Sequence, residues 1–103
     1  MATRATIEME YAKTIRQVKK LETMARSLKG IHNEMQDSLR RLMDGWKSES
    51  ADAYQRKVMQ MSDRIRQDAD SLNYTAATLR NIAERTRRAE LESIRIAERR
   101  KYR

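Results

Sequence analysis

The sequence predicts an all-α fold, an antiparallel helix-turn-helix hairpin that pairs into a four-helix bundle, and three observations carry that prediction. First, the 103 residues include no Pro and only two Gly, so helix breakers are missing from almost the whole length. Second, apolar residues recur at alternating steps of three and four on both sides of one short interruption. Third, that interruption, Gly45-Trp46-Lys47-Ser48, holds the chain's single Trp. With 37% charged and 39% hydrophobic residues, the chain can form one domain with a thin core, or a core shared with a partner.

Helix 1 is predicted over about 7–43. Ile7, Tyr11, Thr14, Val18, Leu21, Ala25, Leu28, His32, Met35, Leu39 and Leu42 form its seam, spaced as the a and d positions of a heptad repeat. Ile15, Met24, Ile31 and Met43 widen the stripe and imply a second contact surface. Thr6 is a suitable N-cap, with Glu8 and Glu10 at the positive end of the helix dipole. Arg40 and Arg41 suit the negative end, and Gly45 suits a left-handed C′ position.

The turn occupies 44–48, with Ser48 capping helix 2 ahead of Glu49 and Asp52. A connection this short forces antiparallel neighbours. Helix 2 is predicted over about 49–97, followed by a basic C-terminal tail to 103, and residues 1–103 make a single helical-hairpin domain. Its seam runs through Ala51, Tyr54, Val58, Met61, Ile65, Asp68, Leu72, Thr75, Leu79, Ile82, Thr86, Ala89, Ser93 and Ile96. Ala69, Ala76 and Ala83 recur every seven residues beside it and would let a partner backbone come close. At ~1.5 Å rise per residue the two helices would span roughly 57 and 70 Å. A pair of such stripes leaves apolar surface for more helices, so a dimer is expected. The partner-binding seam is assigned to Val18, Leu21, Leu28, Ile31, Met35, Leu39, Leu42, Val58, Met61, Ile65, Leu72, Leu79 and Ile82.

Composition excludes several function classes. The chain has no Cys, hence no disulfide framework, thiolate metal site or thiol nucleophile. One His cannot build a metal site within the chain, and no Gly-rich phosphate loop is present. No enzyme activity, cofactor or metal is expected. No stretch approaches the ~20 apolar residues of a membrane span, and the N-terminus lacks the apolar core of a secretory signal. His32 and Asp68 read as polar seam residues that fix register or tune association. Gly30, inside helix 1, is either retained for a close helix crossing or simply tolerated.

The formal charge is +8 and unevenly placed. Residues 53–103 carry 13 basic against 7 acidic residues, and residues 1–52 carry 10 against 8. A basic C-terminal patch of Arg85, Arg87, Arg88, Arg95, Arg99 and Arg100, with Lys101 and Arg103, stands against Glu90, Glu92 and Glu98. Such a patch serves an acidic protein partner, a nucleic acid backbone or an anionic membrane, or is a solvated helix end. Nucleic acid is disfavoured, because acids interrupt the arginines and only Tyr102 is interleaved with them.

Trp46-x-Ser48-x-x-Ala51-x-x-Tyr54, set between two heptad-bearing helices, resembles the turn motif of the WXG-type (ESAT-6-like) small proteins of bacterial type VII secretion. The resemblance covers essentially the whole chain, with Ser48 where the family pattern has Gly. It implies a non-enzymatic component of Gram-positive type VII secretion that binds a helical partner. Trp46 would then be half of a bipartite recognition signal, or a hydrophobic plug at the bundle end. The family's Tyr-x-x-x-Asp/Glu export signal is missing: Tyr11 meets Ile15, Tyr54 meets Val58, Tyr74 meets Thr78, and Tyr102 is penultimate. This points to an accessory protein that binds the helical N-terminal domain of an LXG toxin and presents the composite bundle to the secretion ATPase. The alternatives are a secreted homodimeric WXG-type effector, and a basic coiled-coil protein that binds nucleic acid or an anionic surface. The expected location is the bacterial cytoplasm before export, then outside the cell or at its surface.

Overall fold

The structure is a computed structural model in which residues 2–101 are described. Two helices, α1 (Arg4–Gly45) and α2 (Glu49–Lys101), form a hairpin through Trp46, Lys47 and Ser48, and there is no strand among the described residues. Tyr102 and Arg103, the end of the expected basic tail, lie outside the described residues.

The helix ends correct four expectations. α1 is capped by Thr3 rather than Thr6: the Thr6 amide donates to Thr3 Oγ1 at 3.1 Å, and the Thr3 amide donates to Thr6 Oγ1 at 2.8 Å. This is a reciprocal box in which the hydroxyl of Thr6 replaces the usual Glu or Gln. Thr6 is thereby committed to the first turn, which contains no acidic residue: with the helix starting at Arg4, Glu8 and Glu10 lie beyond that turn. At the other end, Gly45 remains helical and no described residue has a positive φ. A three-residue link with ordinary φ values turns the chain, so no left-handed position is required. The last turn of α1 holds no basic residue; Arg40 reaches back to Asp37 at 3.6 Å instead. Gly30 does not mark a close crossing, since a Cβ there would meet nothing within 4 Å.

Ser48 caps α2 as its position predicts. The Ala51 amide donates to Ser48 Oγ at 3.1 Å and the Asp52 amide to the Ser48 carbonyl at 3.0 Å. Glu49 and Asp52 occupy the first turn, and Arg99, Arg100 and Lys101 the last, both favourable to the helix dipole.

The chain divides into two compact units. A turn unit comprises Glu22–Asn73, and a terminal unit joins Met1–Leu21 to Tyr74–Arg103. In both, α1 follows the expected rhythm: Ile7, Val18, Ala25 and Leu39 are buried, and Tyr11, Thr14, Leu21, Leu28, His32 and Met35 are half-buried. α2 departs from it. Its deepest column is Ser62, Ala69, Ala76 and Ala83, flanked by half-buried Val58, Ile65, Leu72 and Leu79. Tyr54, Met61, Asp68, Thr75, Ile82, Ala89 and Ile96 are exposed. The row of small residues therefore lies at the deepest position of α2, because helices approach most closely where side chains are shortest. Asp68 is displaced to the surface with the rest of its column. The core is thin, for Val18 and Ser62 are the largest fully buried side chains, and burying one Val is worth only about 1.5–3 kcal/mol.

Polar contacts differ between the units. In the turn unit His32 Nδ1 lies 2.6 Å from Ser62 Oγ and 2.9 Å from the Ser62 carbonyl, while Gln36 Nε2 donates to Ser62 Oγ at 3.1 Å. Lys29 pairs with Asp70 at 3.6 Å. In the terminal unit Arg4 pairs with Glu98 at 2.9 Å. Arg87 grips Glu8 with two bonds of 3.0 and 2.8 Å and covers the Tyr11 ring at 5.2 Å. The Glu8 hydrogen bond raises the Arg87 pKa above its ordinary value.

Candidate functional site

The turn motif assembles as a small aromatic corner within the turn unit. The rings of Trp46 and Tyr54 lie 5.7 Å apart between centroids and tilt by 50°, a geometry in which aromatic pairs attract. Ala51 between them in sequence is fully buried, so a larger residue there would collide with its surroundings. Ser48 fixes the start of α2, which sets Ala51 and Tyr54 one turn apart on the same face. Trp46 remains 36% exposed.

Beside this corner, α1 and α2 leave an open groove of about 510 Å³. Ile31, Met35, Leu39 and Leu42 line it from α1, and Tyr54, Val58 and Met61 from α2, with Glu34, Ser38 and Lys57 among its polar lining. Its apolar side chains are far from saturated: Met61 is 58% exposed, Tyr54 47%, Ile31 44% and Leu42 42%. Among the described residues no group of His, Cys, Asp and Glu could hold a metal. Among the described residues no helix is long and apolar enough to cross a membrane.

The structure sorts the sequence-predicted seam into three sets. Val18 and Leu39 are buried within the hairpin. Leu21, Leu28, Met35, Val58, Ile65, Leu72 and Leu79 are half-buried, and Ile31, Leu42, Met61 and Ile82 are exposed. The basic patch is sorted as well. Arg87 is tied to Glu8 and Arg95 to Glu92 at 2.6 Å, and Arg95 holds the Glu92 carboxyl below its ordinary pKa. Arg85, Arg88, Arg99 and Arg100 have no acidic partner within 4.0 Å among the described residues.

Two features escaped the sequence reading. Ser62 is fully buried and bonds both His32 and Gln36; extending the seven-residue row of Ala69, Ala76 and Ala83 one step back would have found it. Met59, 43% exposed, forms with Met43 and Leu39 part of a second groove in the turn unit. Nothing in the spacing of Met59 separates it from an ordinary surface position.

A comparison of the sequence with known families places residues 6–91 in a match to WXG100, described as proteins of 100 residues with WXG. No curated protein and no solved structure matches the chain.

Proposed function

Because this chain belongs to the WXG100 family, small helical proteins associated with type VII secretion, we propose that it is an accessory targeting protein for a helical cargo. The cargo is the N-terminal domain of an LXG-type toxin. The observation that carries this reading is the groove beside Trp46, where Ile31, Leu42, Tyr54 and Met61 are exposed along one opening. A cargo helix laid in the groove buries them and turns the two-helix unit into a bundle with a shared core. Trp46, exposed at the corner of that composite, is the element offered to the secretion ATPase. No Tyr in residues 1–103 has an acidic residue four positions on, which fits a protein whose export signal is completed by its cargo.

The test is co-purification with the N-terminal domain of an LXG toxin, using the full chain and the variant Met61→Glu. Met61 is already largely exposed, so the variant leaves the hairpin folded, as circular dichroism would verify. Capture of the toxin domain by the native chain and its loss by at least about tenfold in Met61→Glu is the expected result, since a carboxylate buried unpaired is costly. A stable homodimer that ignores the toxin domain would overturn the reading in favour of a self-paired secreted effector.

A further inference from the structure

The chain has seven Met and no Cys, so thioethers are its only sulfur groups and the side chains that a peroxide oxidises most readily. The described methionines differ in exposure and in surroundings. Met9 and Met24 are 68% and 54% exposed but line neither groove of the turn unit. Met59 is 43% exposed and lies in the second groove, where Gln36, Arg40, Asp44, Lys47 and Gln55 make the walls mostly polar. Met43 in that groove and Met35 in the apolar one are half-buried. Among the described residues Met61 alone is a methionine more than half exposed, at 58%, that also lines the apolar groove with Ile31, Leu39, Leu42 and Val58.

We propose that Met61 is an oxidation site whose sulfoxide closes the apolar groove to its occupant. In the reaction a sulfur lone pair attacks one oxygen of hydrogen peroxide or of an organic hydroperoxide. The S–O bond forms as the O–O bond breaks, and sulfur gives up two electrons. The attacked oxygen passes its proton to the departing one, which leaves as water or an alcohol. The product carries a strongly accepting oxygen that water satisfies in an uncovered groove. Under an apolar occupant that oxygen is left without a donor, which weakens binding. Lys57, one turn before Met61 in the same lining, is itself exposed. Its ammonium meets the sulfoxide only at the water-facing mouth, so that pair also favours an uncovered groove. The same step at Met59 sets the oxygen among polar side chains, and at Met9 it falls outside both grooves. The consequence for binding rests on the helical-cargo reading above, whereas the place of oxidation does not.

The experiment treats the full chain with hydrogen peroxide and follows each methionine by peptide mass spectrometry. Binding of Nile red, an uncharged apolar dye, is measured before and after treatment in the native chain, Met61→Leu and Met9→Leu. Met61 is expected to react about as fast as Met9 and at least about threefold faster than Met35. Dye affinity should fall about fivefold on treatment in the native chain and in Met9→Leu, and less than about twofold in Met61→Leu, each compared with its own untreated form. A methionine sulfoxide reductase should restore the native chain's affinity. Met61 reacting no faster than Met35 overturns the inference, as does an equal loss of affinity in Met61→Leu. It is also overturned if the untreated chain binds no dye, or if circular dichroism shows that the oxidised chain has lost helix. Capture of the toxin domain is assayed on the same samples. Capture that survives oxidation of Met61 overturns the inference, whereas an untreated chain that captures nothing while the dye response holds removes the cargo reading and leaves the oxidation site standing.

Discussion

The turn unit and the terminal unit are built from the same two helices on the same heptad rhythm, yet different polar contacts join their helices. In the turn unit charges cancel, and the helices are joined by the hydrogen-bonded network of His32, Gln36 and Ser62 and by the Lys29–Asp70 pair. The groove it offers is apolar and bordered by one aromatic corner. In the terminal unit the helices are joined by ion pairs, Arg4 to Glu98 and Arg87 to Glu8, and the unit carries the whole surplus of positive charge. Apolar burial responds little to salt, whereas pairing between surface charges weakens as salt rises.

The largest effect expected within this comparison is on the column of small residues that both units share. Ala69→Leu in the turn unit and Ala76→Leu in the terminal unit each force a larger side chain into a buried position and should cost about 1–3 kcal/mol by thermal unfolding. Similar losses in both would show that one packing rule governs the two units; a neutral result in either would show that its helices are free to move apart. Next comes Ser62→Ala, confined to the turn unit. It removes the hydroxyl that meets His32 and Gln36 and should cost about 1 kcal/mol, because only the residue 62 carbonyl remains for His32. Its effect should be indifferent to salt. The smallest effect is expected from Arg87→Gln in the terminal unit, where the two bonds to Glu8 lie at the surface. The melting temperature should fall by no more than a few degrees, and the difference should shrink as salt rises. A salt-insensitive loss would mean that the contact of Arg87 with Tyr11, rather than its pairing with Glu8, supplies the stability.

Much of the site was legible in the sequence because the relevant physics is local. A Trp after Gly45 and before a capping Ser marks a corner, and the distance from Ser48 to Ala51 and Tyr54 is set by the pitch of a helix. The seven-residue spacing of Ala69, Ala76 and Ala83 marks a row for close packing, but it does not say that this row lies deeper than Tyr54, Met61 and Ile82. Tyr54, Met61 and Ile82 are larger and more apolar than Ser62, Ala69, Ala76 and Ala83, so a reading by hydrophobicity puts the first group inside. Packing reverses it, since the closest approach of two helices is governed by side-chain volume as well as by polarity. The cap of α1 was misplaced by one turn for a similar reason. Thr3 and Thr6 have the same chemistry, and only their mutual bonds decide which of them begins the helix.

The sequence by itself determined that the chain is two long helices, where they meet, that the meeting point carries a Trp–Ser–Ala–Tyr motif, and that its charge is +8. These follow from spacing, propensity and composition, which act over a few residues or over none. Only the tertiary structure decided which faces the helices spend on each other and which remain open. That choice made Ser62 a buried anchor, placed Asp68 at the surface, and left Met61 and Ile82 exposed. It is a property of two surfaces packed together, and a periodic pattern on one helix specifies it only to within a neighbouring column.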